Sequence, residues 1–106
     1  MNNLNEITQL VSHWELTSEE IQKILGSKFQ NELSDSVQHQ RVSKLLRINE
    51  LLVILYPNSR HAGYIRSSNT YFEGKSLIDL LLNDFDNGCN AIMVYLQAAA
   101  SGGHFL

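Results

Sequence analysis

Cysteine and proline are nearly absent from this chain: Cys89 and Pro57 are the only ones among 106 residues. A lone thiol cannot close an internal disulfide, so a reducing interior, the cytoplasm, is the expected compartment. An excess of positive charge is also missing. Eight Lys and Arg against eleven Asp and Glu give a net charge of −3 and a pI of 5.7. Strong non-specific binding to nucleic acid rests on cations that neutralise phosphates, and this balance argues against it. Long hydrophobic runs are absent as well. The longest, Leu51 to Tyr56, is far too short to cross a bilayer, so no membrane contact is expected. The first residues are polar and acidic with no apolar h-region, so no signal peptide is expected.

The chain also has little that could carry catalysis. His13, His39, His61 and His104 are scattered without ligand spacing, and Cys89 has no second thiol nearby. A metal site needs three or four converging ligands, so neither a metal nor any other cofactor is expected. No Ser, His and Asp set has a local signature. Gly102-Gly103 follows a helical pattern rather than joining a strand to a helix, which excludes a phosphate loop. Asp84 and Asp86 lack the alternating oxygen ligands and closing Glu of a Ca²⁺ loop. Cys89 reads as a small hydrophobe of the core. These absences point to a protein that is not an enzyme.

What is present is helical pattern. Apolar residues make up 43% and charged residues 18% of the chain, a globular balance. At this length folding buries roughly two thirds of the unfolded surface, enough for one domain without staples. Few stretches alternate like strands, so the expected class is all-α, a small helical bundle. Leu4, Ile7, Leu10, Val11 and Trp14 have helical spacing. Thr17 with Glu20 forms a capping box before Ile21, Ile24 and Leu25, and Gly26 ends that helix. A long helix is expected from 36 to 56. Its second half, Leu51 to Tyr56, is apolar all round and so reads as the buried centre of the fold; Pro57 ends it. A short helix over 60–66 should turn Ala62 and Ile65 inward. Residues 67–75 read as a loop, and Ser76 with Asp79 starts a further helix. Asn87-Gly88 interrupts that pattern weakly before a last helix with Cys89, Ile92, Met93 and Leu96 on one face. Leu51, Leu52, Leu55, Leu80, Ile92 and Leu96 are the expected core.

Four segments are candidates for contact. Residues 17–35 have the outline of a helix-turn-helix, in which 27–35 would carry Lys28, Gln30 and Asn31 toward DNA, offset by Glu32 and Asp35; an ordinary helical pair fits the same pattern. Arg41, Lys44 and Arg47 share one helix face, either solvated or set against a partner. The loop with Asn69, Phe72, Gly74, Lys75 and Ser76 is either a well-capped connection or a binding surface. Gly74 suggests a backbone position that a side chain would disturb, and Phe72 should pin the loop to the core. After Gly102 and Gly103, the apolar end His104, Phe105 and Leu106 is either a loose terminus or a partner anchor.

The residues Arg41-Val42 with Leu45-Leu46, Tyr64 to Asn69, Phe72 to Leu80 and Val94 to Gly103 together resemble antitoxins of the Xre/MbcA/ParS type. Trp14 to Thr17 and Ile24 to Gly26 resemble their reduced helix-turn-helix. Tyr64 stands where that family usually has Trp, and Ser68 and Leu77 stand where it has Pro. The resemblance implies a helix-turn-helix-like part over 1–35 and a toxin-binding part over 36–106. The implied function is to neutralise a cognate toxin, commonly a RES-domain protein that consumes NAD⁺, by covering its active site. Self-association and repression of the protein's own operon through operator DNA are further implications. A DNA-binding regulator and an orphan interaction module are the alternatives.

Overall fold

The computed structural model describes residues 4–25, 36–57 and 61–101. Among these lie six α-helices: α1 (Leu4–His13), α2 (Ser18–Leu25), α3 (Ser36–Leu55), α4 (His61–Arg66), α5 (Leu77–Asn83) and α6 (Phe85–Ala100), with a 3₁₀ turn at Thr70–Phe72. No strand forms among the described residues, and the all-α expectation holds.

Helix α3 is the spine. Val42, Leu45, Ile48 and Leu52 recur every three or four residues and are buried, the stripe a helix needs to face a core. Against it lies α6, whose Phe85, Cys89, Ile92 and Leu96 keep the same period. The two run side by side in one direction. Near the start, the Arg41 guanidinium sits 4.8 Å from the centre of the Phe85 ring, and Lys44 reaches Asp86 at 3.4 Å. Helices α1, α2, α4 and α5 close the remaining sides with Ile7, Leu10, Ile24, Leu25, Ile65, Leu77 and Leu81, all in one hydrophobic cluster. Trp14, fully buried just past α1, donates its indole N–H to Asn49 Oδ1 at 3.1 Å. That bond satisfies the one polar atom of an otherwise apolar side chain.

Local signals set the boundaries. Thr17 and Glu20 form the expected capping box: the Thr17 hydroxyl accepts from the Glu20 amide at 3.1 Å and the Glu20 carboxylate accepts from the Thr17 amide at 2.9 Å. Ser76 and Asp79 make a second box at the start of α5. The break between α5 and α6 falls at Asp84, not at Asn87-Gly88. Asp84 caps α6 by accepting from the Asn87 amide and side chain. Gly88 stays inside α6 because a side chain there would collide with α5: a Cβ would sit 2.5 Å from the Leu80 carbonyl oxygen.

The end of α3 departs from expectation. Leu51 and Leu52 are buried, but Val53 is 47% and Ile54 62% exposed. This apolar turn is therefore covered on one side only, and no other described helix reaches its outer face. Leu55 and Leu80 pack against the core half-buried, while Leu51, Leu52, Ile92 and Leu96 lie within it. Cys89 is buried, and burial pushes its thiol up to about 12, which makes it inert at neutral pH.

Arg66 ties the first helices to the rest. Its guanidinium donates to both carboxylate oxygens of Glu20 at 2.8 Å and to the Glu15 carbonyl at 2.9 Å. The Arg66 hydrogen bonds, outweighing the desolvation that works against them, draw the Glu20 carboxyl down from 4.5 to about 2. A lowered carboxylate adds stability that is fully present above pH 4.5 and is lost as the pH falls toward 2. Glu20→Gln should therefore lower stability by about 1 kcal/mol at pH 7, discounted because Arg66 is partly exposed. In urea titrations the gap from the unaltered chain should close between pH 4.5 and 2. A gap that persists at the acid end would contradict this assignment.

Candidate partner-binding surface

The connection between α4 and α5 is a closed loop, and Asn69 is its hub. The Asn69 amide donates to the Lys75 carbonyl at 3.2 Å, and its carbonyl accepts from Phe72 at 3.0 Å and Gly74 at 2.9 Å. The Asn69 side chain accepts from the Tyr71 amide at 2.9 Å. Two residues in succession take the left-handed backbone, Glu73 at φ 59° and Gly74 at φ 87°. Nothing lies within 4 Å of a Cβ built on Gly74, so backbone conformation rather than space calls for glycine there.

This hydrogen bonding sorts the loop residues expected to meet a partner. Asn69 is occupied within the loop. Ser76 is 4% exposed and its hydroxyl caps α5, so it serves the helix. Phe72 is half-buried and pins the loop, as its sequence position suggests. Lys75 is exposed beside it. Lys28, Gln30, Asn31, Gly102, Gly103, His104, Phe105 and Leu106 lie outside the described residues. The basic stripe divides: Arg41 donates to the Ile24 carbonyl at 2.9 Å, Lys44 pairs with Asp86, and Arg47 pairs with Glu50. All three therefore make contacts within the chain.

The loop presents Tyr71, 52% exposed. Its ring packs 4.6 Å from that of Tyr95 on α6 and 4.9 Å from that of Phe72, and the Phe72 and Tyr95 rings are 5.3 Å apart. Three aromatic rings thus form a platform joining the loop to α6. Behind it, Tyr64 lies 4.8 Å from Tyr56. Burial first, then the neighbouring Tyr56 and Tyr95 hydroxyls, raises the Tyr64 phenol well above its ordinary value. The Tyr64 phenol is therefore neutral at physiological pH.

From the platform the apolar surface continues along α6. Ala91, Val94, Tyr95 and Ala98 follow at i, i+3, i+4 and i+7, which places them on one helix face. Val94 is 62% exposed, Ala91 is exposed, and Tyr95 and Ala98 are half-covered. No Asp, Glu, Lys or Arg occurs from Ser67 to Phe72 or from Asn87 to Ala100. An exposed helix normally carries charge on its outer side. Loss of charge with enrichment in Tyr and aliphatic groups is instead the composition of an interface centre. Tyr71, Val94 and Tyr95 were not among the residues expected from sequence, yet the charge-free stretch was visible there.

Among the described residues no group of three or more His, Cys, Asp or Glu could hold a metal ion, and no helix is long and apolar enough to cross a membrane. In comparisons with known proteins the chain matches no family model, no curated protein and no solved structure.

Proposed function

We propose that this chain is an antitoxin-like protein that binds a cognate toxin and neutralises it by covering the toxin's active site, with no catalysis of its own. The observation that carries this is the exposed, charge-free face formed by Tyr71, Tyr95, Ala91, Val94 and Ala98. Tyrosine and aliphatic groups left open on a rigid scaffold suit burial against another protein. The resemblance of residues 41–103 to antitoxins supplies the class of partner, a RES-type enzyme that consumes NAD⁺. Operator DNA and a second copy of this chain are the other partners that the resemblance implies. The neutral face favours a protein, since DNA binding needs cations aimed at phosphates.

The test is capture of the tagged chain from its native cells, followed by expression of the captured partner alone. The expected partner arrests growth when expressed alone, and co-expression of this chain restores growth. A partner that never impairs growth would overturn the toxin assignment, and capture of DNA alone would favour a regulator.

A further inference from the structure

The end of α1 and the start of α4 are joined through two imidazoles. His13 Nε2 lies 2.9 Å from His61 Nδ1, and His61 Nε2 lies 2.9 Å from the Tyr56 carbonyl oxygen. The rings meet edge to face, with centroids 4.8 Å apart. His61 is 2% exposed, whereas His13 reaches solvent.

Hydrogen-bond valence fixes the protons. A carbonyl only accepts, so His61 Nε2 carries hydrogen. The Nδ1 of neutral His61 is then a bare lone pair, and the Nε2–H of His13 fills it. His13 can take a further proton on Nδ1 without disturbing this bridge. A second added proton would set N–H against N–H inside the bridge. We propose that the His13–His61–Tyr56 chain is an acid-released latch that holds α1 against α4.

Charged and titratable groups face the latch from several elements. Glu6 on α1 and Glu50 on α3, the latter paired with Arg47, line the groove bordered by His13. Glu15, just past α1, and Arg66 on α4 line the hollow beside Ala62, and Arg66 pairs with Glu20 on α2. Tyr56 and Tyr64 are the nearby phenols. None of these groups stands between the two rings, which meet directly at 2.9 Å, so none relieves the contact that a second added proton creates inside the bridge.

On these two residues the unfolded chain binds two added protons in acid and the latched chain binds one. The state that binds more protons gains as pH falls, so the latch stabilises the fold above the histidine range and weakens through it. One proton of difference makes the unfolding equilibrium constant rise about tenfold from pH 6 to pH 5. In His61→Gln the amide can donate to the Tyr56 carbonyl while its oxygen accepts from His13, so both bonds remain with no titrating group at position 61.

The experiment is urea unfolding of the unaltered chain and of His61→Gln from pH 8 to pH 5, with NMR of the histidine ring nitrogens in the unaltered chain. The expected result is an unfolding equilibrium constant that rises about tenfold more from pH 6 to pH 5 in the unaltered chain than in His61→Gln. His61 should also keep its Nε2–H form at pH 5 while folded. An equal slope in the two chains, or both rings doubly protonated in the folded chain at pH 5, would overturn the latch. If His61→Gln does not fold, the ring-nitrogen spectrum of the unaltered chain decides.

Discussion

Gly88→Ala will destabilise this protein, whereas Gly63→Ala, also within a helix, will stabilise it. An alanine inside a helix is worth about 1 kcal/mol over glycine by intrinsic propensity. At Gly63 nothing lies within 4 Å of the added Cβ, so that gain stands alone. At Gly88 the Cβ would fall 2.5 Å from the Leu80 carbonyl oxygen and 2.8 Å from its carbon, both backbone atoms of α5. Backbone cannot rotate away as a side chain can, so α5 must shift off α6. Such overpacking typically costs about 1–3 kcal/mol. Set against the propensity gain of about 1 kcal/mol, the net expectation is a loss of up to about 2 kcal/mol for Gly88→Ala, and a full 2 kcal/mol would lower Tm by roughly 8–16 °C for a chain of this size. Calorimetry of the two variants checks both signs. A Gly88→Ala variant at least as stable as the unaltered chain would mean that α5 and α6 do not pack this closely.

Val94→Asp will weaken partner binding roughly thirtyfold or more while leaving the chain folded. Val94 is 62% exposed, and substitutions at such positions usually change stability by no more than about 0.5 kcal/mol. Once covered by a partner, the new carboxylate would be buried on a face without a cation to meet it. An unpaired buried charge or a lost interface anchor costs about 2 kcal/mol or more, roughly a thirtyfold loss of affinity. Tyr71→Ala should weaken binding by a similar factor through loss of the ring stacked on Tyr95. Ile54→Asp is the comparison: Ile54 is equally exposed, at 62%, but belongs to the end of α3 rather than to the loop or α6. Titration of each variant with the captured partner, alongside melting curves, separates binding from folding. Binding lost through Ile54→Asp and kept in Val94→Asp would move the interface to α3.

These contrasts also mark what the sequence made legible. The helices were readable because their signals are local: capping boxes at Thr17 and Ser76, the proline stop at Pro57, and apolar periods that tertiary packing did not override; the expected glycine stop at Gly26 lies outside the described residues. The boundary at Asp84 was misplaced because Asn87-Gly88 carries the usual breaker residues. Gly88 belongs to a helix–helix contact with Leu80 instead, and one-dimensional pattern does not encode such a contact. The apolar end of α3 read as buried because hydrophobicity alone does not say how many sides of a helix are covered. At the candidate site, the turn residues Asn69, Gly74 and Ser76 drew attention for a sound reason. Their chemistry serves the loop and the cap, whereas Tyr71 and Val94 are exposed. Arg41, Lys44 and Arg47 form a stripe by spacing, yet their partners Ile24, Asp86 and Glu50 become visible only once α2, α3 and α6 are assembled.

The neutral face of α6 and the aromatic loop beside it form the surface proposed to meet a partner. Hydroxyl-radical footprinting of the chain, free and in the captured complex, tests this most directly. The expected result is strong loss of labelling at Tyr71, Val94 and Tyr95 in the complex, with Val53 and Ile54 labelled as in the free chain. Protection of Val53 and Ile54 with Tyr71 and Val94 unchanged would contradict it.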